Sequence, residues 1–226
     1  MRSWLILGAS GHARSLASVI RGRGDRIAAV GDRALSAGST APEAFRNPDG
    51  TLPAVFDDDA RALDFALGES LSVTIAVGAN AVRARIAAAL AADQRFTGLT
   101  DALVAGSATV DATAVLGPLA QVCEHAHIGP LATVGQAVIV NTGAIVEHDC
   151  QVGPAAHLAP GSVLLGAASV GEGVFVGSGA RVLPGIGVGD HAILGAGAVA
   201  ARHLDGMATY VGVPARRLNP TKGPAH

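Results

Sequence analysis

Aromatic residues are scarce in this sequence: phenylalanine, tryptophan and tyrosine together account for 3% of its 226 residues. Charged residues are also few, at 15%, whereas 50% of the chain is hydrophobic and glycine occurs 30 times. Folded proteins usually take much of their core volume from aromatic side chains. A chain without them must fill its interior with Val, Ile, Leu and Ala, which indicates a thin and regular core.

The charge balance, the cysteines and the apolar runs argue against three classes of protein, namely nucleic-acid-binding, disulfide-rich and membrane-spanning proteins. The formal net charge is −2, so the sequence has no basic excess that would favour nucleic-acid binding. Its two cysteines, Cys123 and Cys150, are too few for a disulfide framework and favour a reducing, cytoplasmic setting. No uninterrupted apolar run approaches the roughly 20 residues of a membrane-spanning helix. We therefore expect no nucleic-acid partner and no membrane span.

A six-residue repeat fills the second half of the chain. Every sixth position from Val104 to Leu194, sixteen in all, is Val, Ile or Leu, and Gly often follows. A second series, from Ala108 to Ala198, consists mostly of Ala. A Gly/Ala-rich stretch of low complexity would not keep this phase through sixteen successive hexads.

A period of six matches neither a helix nor an alternating strand. It matches a solenoid in which each hexad supplies one short strand and one corner, with the aliphatic side chain inside and small residues in the tight corners. Three hexads close one triangular coil, and strand spacing sets successive coils about 4.8 Å apart. The repeat therefore predicts an all-β, left-handed parallel β-helix of about five coils, with no long loop between positions 104 and 199.

The first hundred residues show a different pattern, in which apolar strands alternate with helices. Strands are predicted at residues 3–7, 27–30 and 73–77, and helices at residues 13–20 and 81–92, with Asn80 as the N-cap of the second helix. This alternation is typical of a small α/β domain with a parallel sheet. We therefore divide the chain into an α/β domain (1–100), a β-helix domain (101–202) and a C-terminal tail (203–226).

The turn after the first strand is the candidate ligand site of the α/β domain. It contains Gly8, Ser10 and Gly11, and Asp32 ends the second strand, where it could bind a ribose hydroxyl. Ser10 stands where a dinucleotide fingerprint requires its second glycine, which disfavours NAD or NADP. The sequence favours binding of some other nucleotide, and the alternative is an ordinary turn with a solvated Asp32.

His148 is the strongest candidate for a catalytic residue, because Glu147 and Asp149 flank it. A carboxylate can orient an imidazole, which can then remove a proton from an amine or hydroxyl that attacks a carbonyl. One full coil beyond His148 lies Gly166, whose backbone N–H could stabilise an oxyanion. The alternative is a solvent-exposed histidine without a function, and the stacked glycine and the flanking acids favour the catalytic role.

The other histidines raise the possibility of a metal site. His157 follows His148 at half a coil, but no third ligand converges on the pair. A second cluster occupies residues 124–127 (EHAH), where exposed polar surface is favoured over a metal site at a three-fold contact. Cys123 and Cys150 are interpreted as structural. We therefore predict no metal.

Three motifs give the chain a resemblance to a known family. They are GASGH at residues 8–12, VNTGA at 140–144 followed by VEHDC at 146–150, and VGVPAR at 211–216. On these motifs the chain resembles, over nearly its whole length, the bacterial N-acetyltransferases of nucleotide-linked 4-amino-sugars and the related sialic acid O-acetyltransferases. The resemblance implies acetyl-CoA as donor, a nucleotide-sugar acceptor, a homotrimer with active sites between neighbouring β-helices, and a role in polysaccharide biosynthesis.

The resemblance also implies roles for individual residues. His148 would be the general base, Asp149 would support its imidazole, and Gly166 would bind the oxyanion. Asn141 would contact the acceptor, and His157 the acetyl group and the acceptor amine. The remaining implied contacts are Gly8, Ser10, Gly11, His12 and Asp32 for the nucleotide, and His157, Gly166, Ala167, Gly179, Gly185, Gly212 and Arg216 for CoA.

These observations lead to one principal hypothesis and two alternatives. The principal hypothesis is an enzyme that transfers acetyl from acetyl-CoA to the amino group of a nucleotide-linked amino-sugar. The alternatives are O-acetylation of a sugar of the sialic acid type and a trimeric binding scaffold without catalytic activity. The chain departs from the family pattern at Arg14, at residues 123–127 and at residues 33–56, which bears on the identity of the acceptor.

Overall fold

The computed structural model describes residues 1–218, which form an α/β domain followed by a β-solenoid. Residues 219–226 of the predicted C-terminal tail lie outside the described residues. The α/β domain contains β1 Ser3–Leu7, α1 Gly11–Gly22, β2 Arg26–Gly31, β3 Ala54–Phe56, α2 Asp59–Gly68, β4 Ser72–Ile75 and α3 Asn80–Ala92, with short 3₁₀ helices at Glu43–Phe45 and Gln94–Phe96. The predicted alternation of strands and helices is confirmed.

The four strands of this domain form one parallel sheet in the order β3-β2-β1-β4. Successive side chains of β1 point to opposite faces, because a strand has a period of two. Trp4 and Ile6 pack in the cluster that contains α1, whereas Leu5 and Leu7 pack in the cluster that contains residues of α2 and α3. Burial on both faces explains why β1 is apolar without alternation.

The start of α3 differs from the prediction. Ala79, not Asn80, occupies the N-cap position, and no side chain caps the helix. The Asn80 amide instead donates hydrogen bonds to the carbonyls of Gly173 and Val174, 2.9 and 3.2 Å away in the solenoid. Asn80, which was predicted as a helix cap, is therefore a residue that joins the two domains.

The second half of the chain is a solenoid of two-residue strands that recur at every hexad. In chain order these are β5 Leu103–Val104, β6 Thr109–Val110, β7 Val115–Leu116, β8 Gln121–Val122, β9 His127–Ile128, β10 Thr133–Val134, β11 Ile139–Val140, β12 Ile145–Val146, β13 Gln151–Val152, β14 His157–Leu158, β15 Val163–Leu164, β16 Ser169–Val170, β17 Phe175–Val176, β18 Arg181–Val182, β19 Gly187–Val188, β20 Ile193–Leu194 and β21 Val199–Ala200, followed by β22 Thr209–Val211 and β23 Arg216–Arg217.

These strands form three sheets, one along each side of a triangular coil. The eight-stranded sheet runs from β5 to β23, the six-stranded sheet from β6 to β21 and the five-stranded sheet from β7 to β19. From β5 to β18, each strand pairs in parallel with the strand three hexads further on, as Ile139 does with His157. This is the predicted parallel β-helix, in which three hexads make one coil.

The solenoid makes about six turns, one more than the sixteen aliphatic positions predict. The additional rung is β22, which pairs with β20, Ile193 with Thr209, at a step shorter than a full coil. Tyr210 is buried in this rung, and β23 returns antiparallel to it. The shorter step breaks the phase of the hexads after Ala200, so the period could not reveal this rung.

The interior of the solenoid is as thin as the composition predicts. The second residue of most strands is a buried Val, Ile or Leu, and the Ala series fills the space between them. Adjacent coils approach so closely at Gly153 that a Cβ there would lie 2.5 Å from the carbonyl carbon of Gly171. Glycine after the aliphatic residue therefore permits the close stacking of the coils.

The α/β domain covers part of the eight-stranded sheet. The outward side chains of Leu103, Gln121 and Ile139 are at most 1% exposed, whereas Ile193 on the same face is 43% exposed. Where this cover ends, the sheet presents His157 and Phe175.

No helix within residues 1–218 is both long and apolar enough to cross a bilayer.

Candidate active site

His148 and Asp149 lie at the corner where the chain passes from the six-stranded to the five-stranded sheet. Both side chains are more than half exposed, and Asp149 has a left-handed φ of 60°. The Asp149 carboxylate lies 2.8 Å from Nδ1 of His148. A carboxylate accepts a hydrogen bond, so it holds the imidazole proton on Nδ1 and leaves Nε2 as the basic nitrogen.

Gly166 occupies the same corner one coil further on, as the repeat predicts. The N–H of Ala167 donates to the carbonyl of His148 over 2.9 Å, which stacks the two turns. A Cβ on Gly166 would lie 2.5 Å from Nε2 of His148. The basic nitrogen therefore lies directly against this glycine.

The backbone N–H of Gly166 is free to bind a ligand. It donates no hydrogen bond within residues 1–218, whereas the N–H groups of its neighbours Leu165 and Ala167 both donate to adjacent coils. Pro130 and Pro184 occupy the equivalent place one coil before His148 and one coil after Gly166. Proline has no N–H, so it is tolerated at a position that pairs with nothing. At Gly166 the same position presents an available donor.

The residues predicted to flank CoA fall on two different corners of the coil. Gly185 follows Ala167 by one full coil at the corner of His148, and its N–H donates to the carbonyl of Gly166 over 3.0 Å. Gly179 lies at another corner, where its N–H donates to Pro160. Gly179 and Gly166 are not separated by a whole coil, so within a single chain they lie at different corners.

Gly212 and Arg216 lie at the end of the solenoid. Gly212 has a φ of 90°, and its carbonyl accepts a hydrogen bond from the N–H of Val199. Arg216 begins β23 and is exposed. Arg216 thus belongs to the eight-stranded sheet, which also carries His157, and Gly212 lies in the turn between β22 and β23.

His157 projects from the eight-stranded sheet into a group of side chains at the domain boundary. Its Nε2 lies 3.2 Å from Nδ2 of Asn141, and its ring packs edge-on against Phe175 with centroids 5.2 Å apart. The ring of His12 is 6.4 Å away. Burial lowers the pKa of His157 to about 4, and the positive charge of Arg83 contributes to this lowering, so the ring is neutral at pH 7.

His148 and His157 are not neighbours within one chain. The corner of His148 joins the six- and five-stranded sheets, and it lies opposite the eight-stranded sheet that carries His157. One chain therefore holds two separate centres, which we call the His148 corner (His148, Asp149 and Gly166) and the His157 group (His157, Asn141, His12 and Phe175).

The N-terminal turn borders a cleft of about 860 Å³ at the carboxyl edge of the parallel sheet. Both carboxylate oxygens of Asp32 accept backbone N–H groups, from Ala9 over 2.7 Å and from Ala34 over 2.9 Å. Asp32 thus fixes the turn at Gly8, whose φ is 104°. The cleft is also lined by charged side chains, namely Arg33, Asp59, Asp64, Arg85, Asp93 and Arg95.

Three of the residues predicted to bind the nucleotide do not line this cleft. His12 points to the solenoid, where its Nε2 lies 2.7 Å from Oε1 of Gln121, and burial lowers its pKa. Ser10 and Gly11 are exposed at the start of α1 and are also absent from the cleft wall. Of the predicted set, only Gly8 and Asp32 face the cleft.

The second histidine cluster forms no metal site. The N–H of His125 donates to Oγ of Ser107, and His127 lies on the six-stranded sheet between Thr109 and Ile145. Within residues 1–218, no group of three or more His, Cys, Asp or Glu side chains is placed to hold a metal ion. Cys123 and Cys150 are buried, and burial raises the pKa of both thiols.

The low pKa of His157 makes stability dependent on pH. Its ordinary value is 6.5, so between about pH 6.5 and pH 4 the unfolded chain binds a proton that the folded chain excludes. We expect the free energy of unfolding to decrease as pH falls through this window, and His157→Gln to reduce that slope. Urea unfolding at a series of pH values measures both. His148→Gln, which removes an exposed ring, serves as control, and an unchanged slope in His157→Gln would contradict the prediction.

Known proteins resemble this chain both in sequence and in fold. The family described as the PglD N-terminal domain matches residues 4–90. PerB from Caulobacter crescentus, solved in complex with CoA and GDP-perosamine, is 34% identical, with a TM-score of 0.80 over 97% of this chain and 98% of its own. GDP-perosamine N-acetyltransferase from the same organism has also been solved with one histidine replaced by alanine or asparagine.

A second similar structure is the acetyltransferase domain of PglB from Neisseria gonorrhoeae, in complex with acetyl coenzyme A. It is 29% identical, with a TM-score of 0.82 over 96% of this chain and 99% of that domain. WeeI from Acinetobacter baumannii, at 23% identity and a TM-score of 0.76, shares the fold. No curated protein sequence matches the chain.

Proposed function

The chain belongs to the nucleotide-sugar N-acetyltransferase family, and on that premise we propose that it transfers acetyl from acetyl-CoA to the amino group of a nucleotide-linked amino-sugar. The observation that carries this proposal is the His148 corner. A carboxylate orients the imidazole, its basic Nε2 lies beside Gly166, and the Gly166 N–H is free. These are the base and the oxyanion donor that acyl transfer requires.

The proposed reaction proceeds by direct attack of the acceptor amine on the thioester. The amine nitrogen forms a bond to the acetyl carbonyl carbon and gives its proton to Nε2 of His148. The negative charge that develops on the carbonyl oxygen accepts a hydrogen bond from the N–H of Gly166. The C–S bond then breaks, and the CoA thiolate leaves and takes a proton, for which the His148 imidazolium is the nearest source.

We place the nucleotide in the cleft of the α/β domain. The cleft lies at the carboxyl edge of a parallel sheet, where α/β domains bind their ligands. Gly8 permits close approach of the ligand, and each carboxylate oxygen of Asp32 keeps a second lone pair for a ribose hydroxyl. Arg33 and Arg85 supply positive charge for a diphosphate.

The separation of the two histidine centres supports an active site shared between chains. A single chain presents the His148 corner and the His157 group on opposite sides of the coil. In a homotrimer with parallel solenoid axes, the corner of one chain could face the sheet of the next. Asn141 and His157 would then contact the acceptor and the acetyl group. CoA would be flanked by two sets of residues, Gly166, Ala167 and Gly185 from one chain and Gly212, Arg216 and Gly179 from the other.

Buried reduced cysteines fit a cytoplasmic location for this enzyme.

The proposal is tested by assaying acetyl transfer to matched acceptors. We expect acetylation of a 4-amino-sugar linked to GDP, the nucleotide in the PerB complex, and no acetylation of the sugar that carries a hydroxyl in place of the amine. Acetyl-CoA alone should raise the melting temperature, because a ligand at 100 times its Kd stabilises the folded state by about 2.7 kcal/mol.

Three outcomes separate the proposal from its alternatives. Transfer to the UDP-linked amino-sugar instead of the GDP-linked one would change the nucleotide and keep the reaction. Transfer to a sialic acid hydroxyl and not to amines would replace N-acetylation with O-acetylation. Absence of both the thermal shift and the transfer would indicate a non-enzymatic scaffold.

A further inference from the structure

Arg83 of α3 is a completely buried arginine that the proposed reaction does not use. Its exposure is 0%, and burial lowers its pKa to about 10, so it remains charged at pH 7. Within residues 1–218 no carboxylate pairs with it. A buried charge without a counter-ion is costly and persists only where hydrogen bonds compensate it.

The Arg83 guanidinium joins the α/β domain to the solenoid through oxygen atoms alone. It donates to Val77 and Gly78 at the end of the parallel sheet, and to Asn80 on its own helix. It also donates across the domain boundary to carbonyls of two solenoid turns, at Ala137 over 2.7 Å and at Ala155 over 2.7 Å. All five N–H groups of an arginine are occupied by this arrangement.

The side chain of His157 lies beside the same network in one defined tautomer. Oδ1 of Asn141 accepts the N–H of Thr142 over 2.8 Å, so its Nδ2 faces the ring of His157. An amide nitrogen only donates, so Nε2 of His157 accepts and the ring proton lies on Nδ1. Nδ1 is buried and makes no hydrogen bond within residues 1–218.

Arg83 is linked to His157 through one peptide group, because it donates to the carbonyl of Ala156, the residue directly before His157, over 3.2 Å. Building on the function proposed above, we propose that Arg83 is a positioning residue that holds His157 neutral with its proton on Nδ1. The guanidinium binds the carbonyls of Ala155 and Ala156, which lead directly into β14, the strand of His157. Nε2 of His157 then accepts the hydrogen bond from Nδ2 of Asn141 and holds that amide in one orientation.

Every group that faces His157 is consistent with a neutral ring. The ring of His12 from α1 is held by Gln121 and burial lowers its pKa, and Phe175 from β17 presents an apolar ring. Asn141, which follows β11, is uncharged, and the pKa of the His157 ring is lowered by burial, by His12 and by the positive charge of Arg83 from α3. Since like charges repel, this cation disfavours an imidazolium.

Ring-nitrogen NMR of ¹⁵N-histidine-labelled protein tests the proposal without depending on catalysis. The His157 signals, assigned by their loss in His157→Gln, should show a neutral ring protonated on Nδ1 between about pH 6 and pH 8. In Arg83→Met they should show a mixture of tautomers and protonation at higher pH. The turnover number should fall roughly 10- to 100-fold, the cost of a misplaced group near the chemistry, with little change in the KM for acetyl-CoA.

Two further variants keep the result decisive. Arg83→Lys retains the charge but cannot reach every oxygen that the guanidinium binds. We therefore expect a neutral His157 ring with mixed tautomers in this variant. Arg83→Lys takes the place of Arg83→Met if the methionine variant does not fold. Arg61→Met removes an exposed arginine of α2 and should match wild type. A wild-type His157 protonated on Nε2, or unchanged His157 signals in a folded Arg83 variant, would overturn the proposal. Absence of transfer to any amino-sugar would instead contradict the proposed function, with the NMR result unaffected.

Discussion

Replacing His148 with alanine should lower kcat by about 10²- to 10⁴-fold, the usual loss when a general base is removed. The acceptor amine must give up its proton as it attacks, and Nε2 of His148 is the basic nitrogen beside the free N–H of Gly166. The KM values for acetyl-CoA and the nucleotide-sugar should change little, because the imidazole acts on the reacting proton. Steady-state assays with both substrates varied in turn measure this split.

The exposure of His148 makes this result easy to interpret. Its side chain is 60% exposed, so the alanine variant should unfold at nearly the wild-type temperature. His125→Asn is the matched control, since it removes another exposed corner histidine and asparagine tolerates the positive φ of 59° there. A purified, folded His148→Ala enzyme with wild-type turnover would remove His148 from the role of base.

The sequence predicted the His148 corner because the fixed period of the repeat shows which residues lie one coil apart. Once three hexads make a coil, a separation of three whole hexads means direct stacking, and the stacking of Gly166 on His148 follows from counting. The same rule would have separated Gly179 from Gly166. It failed at the last rung for a physical reason, since the step from Ile193 to Thr209 is shorter than a full coil and the phase is lost.

Contacts between the two domains could not be predicted in this way. His12 meets Gln121, and Arg83 meets Ala137, through tertiary packing, and no periodicity in the sequence relates these positions. Arg83 lies in an alanine-rich helix whose pattern gives no sign that an arginine there is buried. Asn80 carried a local signal for a helix cap, but its Oδ1, the atom that would cap the helix, accepts from Arg83, and its Nδ2 donates to two solenoid carbonyls. Local rules fail where the partner is distant in sequence.

The placement of the two histidine centres on opposite sides of the coil also follows from counting hexads. The short separation of His148 and His157 suggests proximity, yet it amounts to half a coil and places the two on opposite sides of the triangle. If both histidines act in one active site, that site must therefore include a second chain. The counting rule that stacks Gly166 on His148 is the same rule that sets His157 apart from them.

Replacing Gly166 with alanine should lower kcat by roughly 100-fold while the fold is retained. The new methyl group would lie 2.5 Å from Nε2 and 2.6 Å from Cε1 of His148, so the ring must move. An exposed ring can rotate away at low cost, and Gly166 has no left-handed φ that an alanine would strain. A displacement of about 1 Å at the reacting group is enough for a loss of this size. Thermal unfolding and steady-state kinetics on the same preparation measure the two effects.

This substitution separates the placement of the base from the supply of the oxyanion donor. Alanine keeps the backbone N–H at position 166, so a loss of turnover reports on the His148 ring and not on a missing donor. Gly106→Ala is the control, because its Cβ would meet only the carbonyl oxygen of Gly22 at an ordinary 3.7 Å. If both alanine variants turned over like wild type, the close stacking of His148 on Gly166 would have no part in catalysis. If Gly166→Ala lost stability as well, the ring would be held in place more firmly than its exposure indicates.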